Sequence, residues 1–131
     1  MSHNTILRNI NALFASSTWT QHNYDTIPTG FTGKINPANK TVRVNVMQYS
    51  SNLFFDGDHL SGQIVCQIFV PREEGMNAAT QIADNLDVLL KKKTISGNLQ
   101  TTNSLIKMVG IDPNNTDLLV CSYEVNFNYY N

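Results

Sequence analysis

The sequence predicts an α+β fold: one mostly antiparallel, mixed sheet with two helices packed on one face, in the order α-β-β-α-β-β. Three observations predict it. Two segments carry apolar residues at helical spacing, three others alternate apolar and polar residues at strand spacing, and the final strand is half polar on its opposite side. That last feature suits an antiparallel sheet with helices on one face only. A chain of 131 residues with 41% apolar residues is enough for a single self-supporting core, so residues 1–131 read as one domain.

Ile6, Leu7, Ile10, Leu13 and Phe14 fall within an arc of about 120°, which makes Asn4–Ser17 the first helix. The hydroxyl-rich Ser16-Ser17-Thr18-Trp19-Thr20 ends it, because those side chains compete for backbone hydrogen bonds. From Gln21 to Lys40 the chain holds Pro28, Gly30, Gly33 and Pro37 without a sustained period and reads as a long extended loop. Trp19, Tyr24 and Phe31 give that region apolar surface to pack.

Val42, Val44 and Val46 alternate with Arg43, Asn45 and Met47, and Ile64, Cys66, Ile68 and Val70 alternate with Gln63, Val65, Gln67 and Phe69. Each set is a strand with one dry face. Between them the Asp56-Gly57 turn signal sits beside Leu53, Phe54 and Phe55, three bulky residues with few neighbours of their own at a hairpin tip. Apolar side chains placed so either fold back onto the core or meet a partner, and exposed apolar patches tend to mark interfaces.

Pro71 closes the second strand, and Glu73-Glu74 precedes a second helix whose Met76, Ala79, Ile82, Ala83, Leu86, Leu89 and Leu90 span about 140°. Carboxylates at its start and Lys91-Lys92-Lys93 at its end complement the helix dipole, so the lysines read as a solvated terminus. Val88 is the one apolar residue on the polar face. Two short apolar runs follow, Asn98–Thr101 and Leu105–Val109, then a tight turn at Asp112–Thr116. The last strand is the clearest, with Leu119, Cys121, Tyr123, Val125, Phe127 and Tyr129 inward.

Composition bounds the chemistry. Charged residues make up 15% of the chain and the net charge is −1, with no cationic cluster longer than the lysine triplet, so no phosphate-tracking surface for nucleic acid is expected. Neither a signal-like opening nor a run of 18 apolar residues occurs, so no membrane partner is expected either. Cys66 and Cys121 lie in alternating segments and read as small buried apolar groups. His3, His22 and His59 have no cysteines at zinc spacing, and Asp56, Asp58 and His59 form the one short cluster with ligand chemistry, better read as a turn. Asp112, Asn114 and Asp117 lack the central glycine and bidentate glutamate of a calcium loop. With no nucleophile elbow and no phosphate-cradling glycine loop, the sequence predicts no catalytic residue, no metal and no cofactor. Abundant Asn, Ser and Thr with scattered aromatics suit neutral hydrogen-bonded contacts between subunits.

The segment Ser61–Leu86 resembles the central stretch of the tail terminator (tail completion) proteins of long-tailed bacteriophages. The resemblance is carried by Gly62 opening a strand, its end in Phe69-Val70-Pro71, Gly75 starting a helix, and Ala83-Asp84-Asn85-Leu86 within that helix. The order of elements is also similar over most of the chain, with Gln21–Lys40 outside the match. This resemblance implies a non-enzymatic virion protein that assembles in the host cytoplasm into a homo-oligomeric, hexameric ring at the neck of the tail. Such a ring caps the tail tube, stops its growth, and offers its other side to the head-completion or connector protein. On this reading Leu53, Phe54 and Phe55 contact the tube or a neighbouring subunit, and Tyr24 and Phe31 make inter-subunit or head-side contacts. Two alternatives stand beside it: another neck or tail protein, such as a tube subunit or head-tail joining protein, and a small metal-dependent enzyme or ligand-binding domain using Asp56, Asp58 and His59.

Overall fold

A computed structural model describes residues 2–28, 35–36, 38–50, 59–95, 99–113 and 115–130. The first helix, α1 (Ser2–Ala15), buries Ile6, Ile10 and Phe14, the i, i+4, i+8 stripe expected of an amphipathic helix. Ser16 takes an extended conformation and breaks the helix, and its hydroxyl donates to the Leu13 carbonyl at 2.6 Å. One further helical turn, α2 (Ser17–Thr20), then drives Trp19 into the core, where it is 2% exposed.

Strands β1 (Asp25–Ile27), β2 (Thr41–Ser50) and β3 (His59–Pro71) follow, then a 3-10 turn at Arg72–Glu74 and helix α3 (Gly75–Leu90). Three strands complete the described chain: β4 (Thr94–Ile95), β5 (Leu99–Asp112) and β6 (Asn115–Tyr130). They form one six-stranded sheet in the order β1-β2-β3-β6-β5-β4. All neighbours are antiparallel except β1 and β2, so the sheet is mixed, and it curls into a half-barrel.

The expected order α-β-β-α-β-β therefore needs correction. The segment read as a long loop contains β1, a three-residue parallel strand whose Asp25 N–H donates to the Lys40 carbonyl at 3.0 Å. The two short runs after α3 are joined in one long strand, β5, with β4 added beside its start. Register shifts at Thr101/Ser104 and Met108/Gly110 put β5 out of phase with itself, which breaks the simple alternation that marks a strand in sequence.

The main core lies on one face of the sheet. Val42 and Val44 of β2, Ile64, Cys66, Ile68 and Val70 of β3, and the inward residues of β6 meet Ile6 and Ile10 of α1 and Ala79, Ile82, Ala83 and Leu86 of α3. The other face is drier than its sequence suggests. Phe69, Leu118 and Val120 form a second, smaller cluster there, with Ile35 packed against it.

Glycine decides two positions. At Gly62 an added Cβ would lie 2.0 Å from the Met47 carbonyl oxygen and 2.6 Å from the Phe127 ring, so only hydrogen fits between β2 and the ring. Gly75 begins α3 at φ +72°, a conformation that L side chains disfavour.

Candidate interaction surface

Tyr24 is the one residue of the sequence-predicted contact set within the described chain; Leu53, Phe54, Phe55 and Phe31 lie outside the described residues. Its ring stacks on His22, with centroids 5.6 Å apart and planes 18° from parallel, and lies 5.3 Å from Trp19. Its hydroxyl accepts a hydrogen bond from Asn85 Nδ2 at 2.8 Å, and the Trp19 indole donates to Thr26 Oγ1 at 2.9 Å. Tyr24 thus joins the approach to β1 to α3. The side chain expected in sequence to give this region apolar surface to pack is half-buried against its own chain.

The groups with reactive chemistry are held in structural work. Cys66 and Cys121 are free thiols with no exposed surface, and burial pushes both thiol pKa values up, away from the thiolate a nucleophile needs. Among the described residues no three His, Cys, Asp or Glu side chains gather closely enough to hold a metal ion. Asp56 and Asp58 lie outside the described residues. At the Asp112–Asp117 turn, the Asp117 N–H donates to Asn115 Oδ1 at 3.1 Å, ordinary turn chemistry.

One polar cluster went unpredicted. Asp87 of α3 accepts two hydrogen bonds on Oδ1, from the Tyr123 hydroxyl of β6 and the Ser104 hydroxyl of β5, both at 2.6 Å. Burial first, and the adjoining carboxylate second, push the Tyr123 phenol pKa up. The sequence held a signal for it. Asp87 stands four residues after Ala83 and three before Leu90, both fully buried, so it lies at the border of the apolar stripe and must find a donor. Nearby, the Thr101 hydroxyl donates to the Leu90 carbonyl and accepts from the Lys93 N–H at 2.7 Å. These contacts fasten the end of α3 and the lysine stretch to β5.

The surface most unlike a solvated exterior follows β5. Leu105, Met108, Val109 and Ile111 are 55%, 52%, 61% and 45% exposed. Val109 also borders a groove of about 610 Å³ on the outer face of the sheet, lined by Ile35, Phe69, Leu118 and Val120. Arg43 lies over the Phe69 ring at 5.5 Å, a cation–π contact at the groove wall. Leu105 pairs with the outward Glu124 and Val109 borders the groove, whereas Met108 and Ile111 pair with the inward Cys121 and Leu119, so the outer stretch of β5 exposes apolar side chains on both faces, a feature that marks association. The sequence showed its apolar run at Leu105–Val109 but not that this run would lie exposed.

No family model and no curated protein matches this chain. Among solved structures, it is similar to a chain whose name states no function, at 15% identity and a TM-score of 0.70 over 100% of this chain and 97% of that one. That likeness is one of fold: a mixed six-stranded sheet curled around helices.

Proposed function

We propose that this protein is a structural component of a phage virion, a ring that caps the tail tube, ends tube polymerisation and presents the attachment surface for the head-completion or connector complex. The observation that carries this reading is the strand-turn-helix segment Ser61–Leu86 and its resemblance to tail terminator proteins. The positions that carry the resemblance are also constrained physically. Gly62 has no room for a side chain, Gly75 has positive φ, and Ala83 and Leu86 are fully buried. Support of a different kind comes from the exposed apolar surface along β5, which suits a protein whose work is contact with copies and neighbours. The ring is expected to be hexameric and to act by shape-matched, neutral contacts, without turnover of a substrate.

A closed ring requires a heterologous interface, in which one patch of a protomer meets a different patch of the next. Leu53, Phe54 and Phe55 are the residues we assign to contact with the tube or the neighbouring subunit, and Phe31, with the part of Tyr24 that its own chain leaves uncovered, to inter-subunit or head-side contacts. Native mass spectrometry with negative-stain class averages tests the reading. A terminator gives single closed rings of about six copies. Long cylinders would make the protein a tube subunit, and a solitary chain would overturn ring formation altogether. Phe54→Ser with Phe55→Ser should impair ring assembly and lengthen tails; normal rings and normal tails would remove these residues from the contact.

A further inference from the structure

The sheet has two edges, and they are built differently. At one, β1 is three residues long, carries the exposed Asp25 and is followed by Pro28, features that keep an edge from recruiting another strand. The adjoining β2 is covered by β1 at Thr41–Arg43, and Val44 and Gln48 are engaged as well. At the other edge, β4 pairs with β5 only at Leu99 and Gln100, and the Lys92 and Lys93 backbone bonds reach no further than Thr102. From Asn103 to Ile111 no described strand pairs with β5 on its outer side.

The sequence of that open stretch is the wrong one for an edge. Leu105-Ile106-Lys107-Met108-Val109-Gly110-Ile111 is nearly continuous in apolar residues, the pattern of a strand covered on both faces and flanked by neighbours. The only charge in it does not guard the edge, because the Lys107 ammonium lies 3.0 Å from the Glu124 carboxylate on β6. An exposed, long, apolar edge is a template for another strand.

We propose that the outer edge of β5, residues 103–111, is a self-association surface that pairs antiparallel with the same edge of a second copy, joining two sheets into one. Three features select a second copy. Residues 103–111 are the longest stretch without a paired strand on one side among the described strands, longer than the part of β2 beyond Arg43 that β1 leaves uncovered, and pairing this stretch with itself is isologous, about a two-fold axis. Its apolar residues, Leu105 and Val109 on one face and Met108 and Ile111 on the other, then lie beside the same apolar stretch of the second copy on each face of the joined sheet. Lys107 brings no uncompensated charge to the axis, and a net charge of −1 sets little repulsion against pairing. This contact is independent of the ring reading. Edges that meet in twos cannot close a ring, so beside a ring interface they would join two rings face to face.

Two measurements test it. Light scattering on the full chain and on the Met108→Lys/Val109→Lys variant, at on the order of 100 µM, should give the variant about half the mass of the parent, with unchanged far-UV circular dichroism. Both substituted side chains are more than half exposed, so the fold has no reason to fail. Hydrogen exchange on the unaltered chain is the second. Amides within 103–111 should exchange about tenfold more slowly at high concentration than after dilution below the association midpoint. A parent that stays single at high concentration, a variant of undiminished mass, or amides that exchange fast at every concentration would overturn the proposal. A six-membered ring with fast-exchanging β5 amides would overturn it and leave the ring reading intact. A dimer that grows no further, with protected amides, supports it and counts against the ring.

Discussion

Thr41, at the start of β2, holds a hydroxyl that is buried and has no hydrogen-bond partner among the described residues. A hydroxyl in water has partners on every side, so burying one alone costs about 1–3 kcal/mol relative to satisfying it. Its neighbours explain why the site is occupied by a β-branched residue: Thr41 pairs with Asp25 on one side and Phe69 on the other and is 1% exposed. Valine has nearly the same shape without the unpaired oxygen. Thr41→Val should raise stability by about 1 kcal/mol, read as a higher urea midpoint at an unchanged slope. A lower midpoint would mean that the hydroxyl has a partner in solution. Tyr24 teaches the opposite lesson at the same scale. Its hydroxyl is taken by Asn85, so an aromatic side chain in a polar stretch can be an anchor within its own fold.

Helices and central strands were legible because each is long and keeps one period. The Ile6, Ile10 and Phe14 stripe, the α3 stripe and the alternation of β3 and β6 all carry through to buried side chains. Shorter or irregular elements were not legible. β1 has three residues and is held by hydrogen bonds from Trp19 and Asn39 that no local pattern encodes. β5 is interrupted by bulges, so its apolar residues change face and the run looks like two fragments. The contact surface shares that limit: exposure of Met108 and Val109 depends on β5 being the edge of the sheet, a property of strand order. Gly62 was legible as a strand opener, but its reason is tertiary. Adding a methyl there forces β3 away from the Met47 carbonyl of β2 and from the Phe127 ring of β6 at once. Gly62→Ala should cost about 3 kcal/mol or more in denaturant unfolding, or prevent folding. A loss below about 1 kcal/mol would show that the three strands can separate to admit it.

At the scale of the whole molecule, the buried acids of the central strands set how the fold responds to pH. Cys66 of β3 pairs directly with Tyr123 of β6, and neither has exposed surface. In the unfolded chain the thiol ionises near 9.0 and the phenol near 10.0. In the folded chain burial raises both, and the Asp87 carboxylate raises the phenol further. The folded state therefore keeps protons that the unfolded state releases as pH climbs, and stability falls with rising pH at about 1.4 kcal/mol per unit for each such group. The contribution is whole below the ordinary pKa values and is lost on the alkaline side. Urea midpoints should be flat with respect to these two groups from about pH 7 to 8 and should decline above pH 9, more steeply above pH 10. Tyr123→Phe separates the terms. It removes the hydrogen bond to Asp87, at a cost of about 1.5–3 kcal/mol near neutrality, and it removes one titrating group, so its decline above pH 10 should be shallower by about one proton's worth. Ser104 remains to hold the carboxylate, which keeps α3 joined to β5 in the variant. Equal alkaline slopes in the two proteins would mean that the phenol ionises as readily folded as unfolded, and the seal between α3 and the sheet at Asp87 would then be open to water.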